Sequence, residues 1–148
     1  FFPGPKVTPK VTVTKTGVVT EVKQVFSSWA SHVIRLFDNQ PFVEVEWTAG
    51  PIPTDTPWIP GEGDTGKEVV VRYSTDLESK GTFFTDSNGR ELVKRQYNGR
   101  GPSYPQPLNV SEPIAGNYYP VNAMIALQDK ASDIEMAIIT DVAQGGSS

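Results

Sequence analysis

The sequence predicts an all-β fold of antiparallel strands arranged as a β-sandwich. Short runs rich in Val, Ile, Thr, Phe and Tyr recur along the 148 residues, and such runs bounded by turn residues are typical of strands. The 13 Gly and 13 Pro cluster between these runs. No helical periodicity continues for about eleven residues, the shortest window in which an amphipathic helix is recognised. We therefore expect a single β-sandwich region over residues 1–148, with about nine short strands.

Four strands are expected in the N-terminal part of the chain. Alternation of apolar and polar residues favours strands at 7–13, 17–26, 29–37 and 42–47. The last is the clearest half-buried strand, because its Val and Trp residues share one face while Glu44 and Glu46 share the other. The Pro-rich segment 50–66 then predicts a long surface loop, and loops of this length are often functional or cover another surface.

Five further strands are expected in the C-terminal part, at 68–73, 81–85, 91–97, 121–128 and 134–140. The pair Asn88-Gly89 predicts a hairpin between the second and third of these, because both residues tolerate the positive φ of a tight turn. Residues 129–133 predict a second hairpin turn. The Gly- and Pro-rich segment 98–113 predicts another surface loop.

The composition excludes several classes of protein and site. The chain contains no Cys and a single His, which excludes a disulfide framework, a Cys-ligated zinc site, a thiol nucleophile and a self-contained His-rich metal site. The net charge of −4 argues against a general nucleic-acid binder, which usually carries a basic footprint. No apolar run approaches about 18 residues, so we expect no membrane span, and we expect no signal peptide within the chain.

Two carboxylate pairs and the lone histidine are candidates for chemistry. His32 could be a general base or a metal ligand, but no nearby pattern supplies the other ligands, so a structural role is favoured. Glu44 and Glu46 could approach the separation of glycosidase carboxylates. A solvated strand face produces the same pattern and is the favoured interpretation. The same interpretation applies to Asp133 and Glu135.

The segment Asp86-Ser87-Asn88-Gly89-Arg90 offers oxygen ligands for a calcium-type loop. The twelve-residue ligand pattern that ends in Glu is absent, so a tight hairpin turn is favoured. Aromatic residues in predicted loops and strand ends could stack on sugar rings, although packing over the core is the favoured role. These residues are Tyr104, Tyr118, Tyr119, Trp47 and Trp58.

A glycosylation acceptor lies in the second Pro-rich loop. Asn109-Val110-Ser111 has the required spacing with a non-proline in the middle, and its position in a predicted surface loop strengthens the match. If Asn109 carries a glycan, the protein follows the secretory route.

Several longer stretches occur in an order typical of one enzyme family. The stretch 22–36 is similar to EVHQNFSAWxxQVVRL, and 46–53 (EWTAGPIP) to EW(S/T)VGPIP. The later stretches are 66–69 (GKEV), 83–91 (FFTDSNGRE), 113–121 (PIAGNYYPV) and 144–148 (QGGSS). Together they resemble glycoside hydrolase family 38, in its lysosomal or acid α-mannosidase branch, and the resemblance covers residues 14–148.

The resemblance implies that the chain is a fragment from the family's C-terminal β-domain region, part of a galactose-mutarotase-like supersandwich. The family's zinc ligands (two His and two Asp), its Asp nucleophile and its Asp acid/base lie in an upstream α/β domain. No motif here matches them, so no catalytic, cofactor-binding or metal residue is assigned to this chain. Two departures stand out: Asp141-Val142-Ala143 replaces Asp-Arg-Ser, and the loop 55–64 is longer than usual.

The function implied by the resemblance is that of a non-catalytic β-domain chain of a retaining, zinc-dependent α-mannosidase acting on α-mannosides of N-linked glycans. Its expected partners are other chains or domains of the same enzyme and mannose-containing glycans, without nucleic acid. The expected location is the lysosome or vacuole, or outside the cell. Two alternatives stay open: a stand-alone carbohydrate-binding β-sandwich, and a structural domain of a related inactive protein.

Overall fold

The computed structural model describes residues 7–53, 68–100 and 111–148. The described residues form antiparallel β-strands and one turn of 3-10 helix. The predicted all-β fold class is therefore confirmed, in an arrangement consistent with a β-sandwich. No helix in the described ranges has the length and apolar character needed to cross a membrane.

The chain divides into two compact units, unit 1 (Phe1–Val71) and unit 2 (Arg72–Ser148), which are described separately. The expectation of a single region over residues 1–148 stays a prediction. Unit 1 contains a four-stranded sheet in the order β1-β2-β3-β4. Its strands are β1 (Lys10–Lys15), β2 (Val19–Val25), β3 (Ala30–Phe37) and β4 (Val43–Ala49). All four were expected, although β1 begins three residues later than predicted.

The strand register gives this sheet two unlike faces, because side chains alternate between faces along a strand. We call one the apolar face; its apolar residues are Val11, Val13, Val22, Ile34, Leu36, Val43, Val45 and Trp47. We call the other the charged face; its charged residues are Lys10, Glu21, Lys23, Arg35, Glu44 and Glu46. No described residue of unit 1 is buried.

Unit 2 contains a second four-stranded sheet and a two-stranded ribbon. The strands are β5 (Thr82–Asp86), β6 (Leu92–Gln96), β7 (Tyr119–Val121), β8 (Met124–Asp129), β9 (Ile134–Ile139) and β10 (Gln144–Gly146). The larger sheet has the order β6-β5-β8-β9, and β10 pairs with β7. The 3-10 helix Ala115–Asn117 precedes β7.

The buried residues of the described chain all lie in unit 2. Their apolar members are Phe83, Val121 and Ala126, and their polar members are Thr85, Asp86, Asn117 and Asp129. Burying a polar group costs free energy unless the group is hydrogen-bonded. We therefore expect the hydrogen bonds of these four polar residues to help determine how unit 2 packs.

Two sequence predictions in the C-terminal part need correction, and two short elements were not predicted. The strand predicted at 68–73 is wrong: these residues pair with no described strand, and their Val side chains are exposed. The strand predicted at 121–128 is interrupted at Asn122 and Ala123, because β7 ends at Val121 and β8 begins at Met124. The strand β10 and the 3-10 helix were not expected, because neither carries a periodic pattern long enough to be recognised.

Candidate functional site

Three motifs that are distant in the sequence meet in unit 2: residues 83–91, 113–121 and 144–148. We call them the motif cluster. The rings of Phe83 and Tyr119 lie edge to face, with centroids 5.6 Å apart. Gly146 pairs with Tyr119 in the β10–β7 ribbon. The cluster is the best candidate for a functional region because the fold brings these motifs together.

Asp86, which is 5% exposed, connects the first motif to the start of β8. Its Oδ1 accepts hydrogen bonds from the backbone N–H groups of Asn122 (2.9 Å), Ala123 (2.9 Å) and Met124 (3.0 Å). Its Oδ2 accepts one from Gly89 N–H at 2.7 Å. These bonds, those from Ala123 and Met124 first, hold the pKa of the Asp86 carboxyl well below its usual range. Asp86 is therefore an ionised structural group whose oxygens are occupied by backbone donors.

The hairpin predicted at Asn88-Gly89 is confirmed. Asn88 (φ 53°) and Gly89 (φ 69°) both have positive φ, and Ser87 N–H donates to the Glu91 carbonyl at 2.8 Å. Asn88 Oδ1 also accepts a hydrogen bond from Asn122 Nδ2 at 2.6 Å. These contacts support the turn interpretation over the calcium loop, since the Asp86 carboxylate already binds four N–H groups.

Asn117 is a second buried polar connection within the motif cluster, and sequence reasoning missed it. Its Nδ2 donates to Asn98 Oδ1 and to the Pro113 carbonyl, both at 2.8 Å. Its Oδ1 accepts from Asn98 N–H at 2.7 Å. The two bonds to Asn98 fix the 3-10 helix against the segment that follows β6, and the bond to Pro113 closes the turn that leads into the helix. The sequence carried no signal for this, because the partners are 19 residues apart and depend on the fold.

Arg95 and Tyr119 form the outer layer of the cluster. The Arg95 guanidinium carbon lies 4.5 Å from the centre of the Tyr119 ring, and its Nε donates to Thr85 Oγ1 at 3.0 Å. A guanidinium over an aromatic face is attracted by the ring quadrupole. Tyr119 thus lies between Arg95 and the buried Phe83, so it packs as a cover, which was the favoured interpretation.

Close packing also explains the two glycines of β10. A Cβ at Gly145 would lie 3.0 Å from Tyr118 Cδ1, and one at Gly146 would lie 2.7 Å from Val121 Cγ2. The C-terminal motif therefore approaches the second motif so closely that a larger residue at Gly146 would require Val121 to shift, and one at Gly145 would require Tyr118 to move slightly. Tyr118, like Tyr119, packs within the cluster.

The other aromatic candidates and the glycosylation acceptor fall elsewhere. Trp47 lies on the apolar face of unit 1 and is exposed. Tyr104, Trp58 and Asn109 lie outside the described residues. His32 Nε2 is hydrogen-bonded to Gln24 Oε1 on the apolar face, and its ring lies 5.0 Å from that of Phe26. These contacts support the structural role favoured for His32.

Glu44 and Glu46 bind a shared arginine on the neighbouring strand. Arg35 Nη1 lies 2.6 Å from Glu44 Oε1 and 2.8 Å from Glu46 Oε2, and Arg35 Nε donates to Glu21 Oε2 at 3.0 Å. The carboxylate of Glu44, followed by those of Glu46 and Glu21, raises the pKa of Arg35 above its usual value. The pair is thus part of an ion-pair network on the charged face, which fits a structural role.

We expect the substitution Arg35→Gln to lower the melting temperature of the chain by several degrees at low salt, because three carboxylates then face one another without a cation. In about 1 M NaCl the loss should shrink, since the Debye length falls to about 3 Å. Thermal unfolding followed by circular dichroism measures both. Lys23→Gln on the same face is the charge-matched control and should change little. A loss that is unaffected by salt would contradict the electrostatic explanation.

The remaining acidic candidates serve local structure. Asp133 (φ 54°) lies in the turn before β9, which confirms the second predicted hairpin. Glu135 Oε2 accepts a hydrogen bond from Gln128 Nε2 at 2.6 Å. Within the described ranges, no group of three or more His, Cys, Asp or Glu side chains is placed to hold a metal ion. The assignment of zinc and the catalytic carboxylates to another part of the enzyme stays a prediction.

Comparison with known proteins identifies relatives of nearly the whole chain. Residues 4–148 match the family model of the glycosyl hydrolases family 38 C-terminal domain. The chain is 48% identical over 139 residues to a lysosomal alpha-mannosidase of Mus musculus, covering 94% of this chain and 12% of that protein. For the lysosomal alpha-mannosidase of Homo sapiens the identity is 46% over 139 residues, with 94% and 13% covered.

A plant relative gives a similar result. The chain is 41% identical over 136 residues to an alpha-mannosidase of Canavalia ensiformis, covering 92% of this chain and 13% of that protein. The chain thus spans only 12–13% of the length of these curated relatives.

Proposed function

The chain belongs to glycosyl hydrolase family 38, in its C-terminal domain, and we propose that it is a non-catalytic β-domain portion of a longer α-mannosidase acting on α-mannosides of N-linked glycans. The observation that carries the proposal is that nearly the whole chain matches proteins named alpha-mannosidase, while it spans only 12–13% of their length. The buried carboxylate of the motif cluster, Asp86, binds backbone N–H groups rather than projecting as an acid or base, which supports a scaffolding role.

The chemistry belongs to the portion of the enzyme outside this chain. A retaining glycosidase uses one carboxylate as nucleophile and a second as acid and then base. A bound zinc ion would hold sugar hydroxyls and polarise them. The described residues do not fit such an ion, since they offer no cluster of ligands, so no step is assigned to them. We propose that this chain packs against the catalytic domain and supports the loops around its site.

The location proposed for the whole protein is the lysosome or vacuole. Relatives from Mus musculus and Homo sapiens are named lysosomal alpha-mannosidase. Secretion is a second destination of the same route. Glycosylation of Asn109 belongs to this proposal, and a mass shift removed by an N-glycosidase would test it.

The proposal predicts activity only in the assembled enzyme. The 148-residue chain should not hydrolyse an aryl α-mannoside, because it lacks the catalytic domain, whereas the full-length protein should. Release of the chromophore is followed for both preparations, with an aryl α-glucoside as the control substrate. Hydrolysis of the mannoside by the isolated chain would refute the non-catalytic role, and an inactive full-length protein would favour the structural domain of an inactive relative.

A stand-alone carbohydrate-binding module is the second candidate, and the exposed ring of Trp47 on a sheet face is the observation that favours it. Stacking of a sugar on such a ring is a common mode of recognition in water. Titration of the isolated chain with methyl α-mannoside, followed by tryptophan fluorescence, distinguishes the candidates. Saturable binding that Trp47→Ala abolishes would favour the module.

A further inference from the structure

The apolar face of unit 1 is exposed in a way that the sheet by itself does not explain. Val13 is 62% exposed and Val43 is 54% exposed, on the two edge strands of the four-stranded sheet. Leu36 on β3 and Trp47 on β4 are also exposed. Unit 2 has a buried core, but no described residue of unit 1 is buried. Contiguous apolar surface of this kind on a folded protein marks a site of interaction.

The physics of sheets indicates what such a face needs. An antiparallel sheet normally packs one face on a core and leaves the other in water, and a stable domain needs at least two packed layers. The charged face is suited to water, because Arg35 and its three glutamates form an ion-pair network there. The apolar face is therefore the one that requires a second layer.

Four polar residues share the apolar face: Gln24, His32, Thr20 and Lys15. The first two can be buried as a hydrogen-bonded pair. His32 and Gln24 are hydrogen-bonded to each other, so neither requires a polar partner from outside. The His32 ring also packs against the Phe26 ring in a T-shaped contact. Since buried polar groups cost free energy mainly when they are left unpaired, the face can accept an aliphatic layer without a penalty at this pair. A glycan, which presents many hydroxyl groups, fits such a surface less well.

We propose that the apolar face is the docking surface for an apolar layer supplied by the remaining portion of the same α-mannosidase polypeptide. This proposal rests on the proposed function and names the surface through which the chain joins the enzyme. The occupant follows from length and chemistry: the chain spans only 12–13% of its relatives, so most of such a protein is available to supply a layer. The aliphatic composition of the face requires that layer to be apolar.

Because these 148 residues contain no Cys, each introduced thiol is the only one in this part of the protein. Single thiols are introduced in two pairs, each with one position per face on the same strand: Val13→Cys with Thr12→Cys on β1, and Val43→Cys with Thr48→Cys on β4. Val13 and Val43 belong to the apolar face, whereas Thr12 and Thr48 belong to the charged face. The full-length enzyme and the 148-residue chain are each treated with a maleimide under native conditions. Labelling at each position is read by peptide mass spectrometry.

In the full-length enzyme we expect the Val13→Cys and Val43→Cys thiols to react at least about tenfold more slowly than their Thr controls, because packed positions react only during local opening. In the 148-residue chain all four thiols should react at similar rates. Far-UV circular dichroism verifies that each variant is folded. We expect all four variants to fold, because Cys differs little in volume from Val and Thr.

Two results would overturn the proposal. Equal rates on the two faces in the full-length enzyme would mean that no layer covers the apolar face. The second is protection of the Val13→Cys and Val43→Cys thiols already in the 148-residue chain. If light scattering then shows a monomer, the face is covered within this chain; if it shows a dimer, a second copy covers the face. Aryl α-mannoside hydrolysis is measured on the same full-length samples. Protection without activity would refute the proposed function and leave the docking surface standing.

Discussion

The substitution Asp86→Ala is expected to lower the melting temperature of the 148-residue chain by about 10 °C or more. The carboxylate accepts four backbone hydrogen bonds, three at Oδ1 and one at Oδ2. Its removal leaves four partly buried N–H donors without an acceptor and removes the side-chain link between the β5–β6 hairpin and the start of β8. Asp86→Asn should cost less, because an amide oxygen keeps the Oδ1 bonds while its NH₂ group faces Gly89 N–H. Differential scanning calorimetry measures both.

The control for this prediction is Asp141→Ala. Asp141 is exposed, so its substitution should shift the melting temperature by only a degree or two, as is usual for surface positions. Equal losses for Asp86→Ala and Asp141→Ala would show that the four hydrogen bonds do not matter for stability.

Asp86 also predicts how stability depends on pH. Its pKa is lower in the folded chain than the usual value for an unfolded carboxyl of about 3.9. A lowered pKa stabilises the fold fully above the unfolded value, and the contribution is lost as the pH falls through the folded value. Asp129 acts in the same direction, with hydrogen bonds from Ser132 and the backbone lowering its pKa. The melting temperature should therefore fall below about pH 4, and less steeply in Asp86→Asn.

The substitution Phe83→Ala is expected to cost about 3–5 kcal/mol of unfolding free energy. Phe83 is 0% exposed in the core of unit 2, and its loss leaves a cavity beneath Tyr119. Phe83→Leu should recover part of this, because it refills most of the volume. Urea unfolding of the 148-residue chain, followed by near-UV circular dichroism, gives the free energies of unfolding.

Phe42→Ala is the matched control, because Phe42 is 54% exposed and contacts Phe37 with ring centroids 6.0 Å apart. Its loss should cost about 1 kcal/mol or less, since little apolar area leaves the protein interior. A cost for Phe83→Ala as small as that of Phe42→Ala would show that the β5–β7 packing contributes little to the fold.

Features with a local cause were predictable from the sequence. The Asn88-Gly89 turn follows from the positive φ that these two residues tolerate, and the structure has them at 53° and 69°. The four strands of unit 1 follow from alternation, which each strand carries within itself. The family was also evident from the sequence, because its motifs are contiguous stretches that do not depend on folding.

The strand predictions that were wrong depend on which segments of the chain contact one another. Residues 68–73 have the alternation of a strand but pair with no described strand. Alternation indicates which side chains share a face, but it does not indicate which other strand the segment pairs with. The break at Asn122 was hidden for a related reason. Its N–H and those of the next two residues bind Asp86, 36 to 38 residues earlier in the chain, and no local pattern predicts such a contact.

The sequence by itself determined the all-β class, the tight turns and the membership in family 38, because each of these depends on residues that are close together in the sequence. Only the tertiary structure decided what the acidic residues do. From the sequence, Asp86 is a possible calcium ligand, but in the fold its oxygens accept hydrogen bonds from four N–H groups. Glu44 and Glu46 are a possible catalytic pair in the sequence, but in the fold both bind Arg35. The physical reason is that the state and role of a carboxylate depend on its neighbours in space.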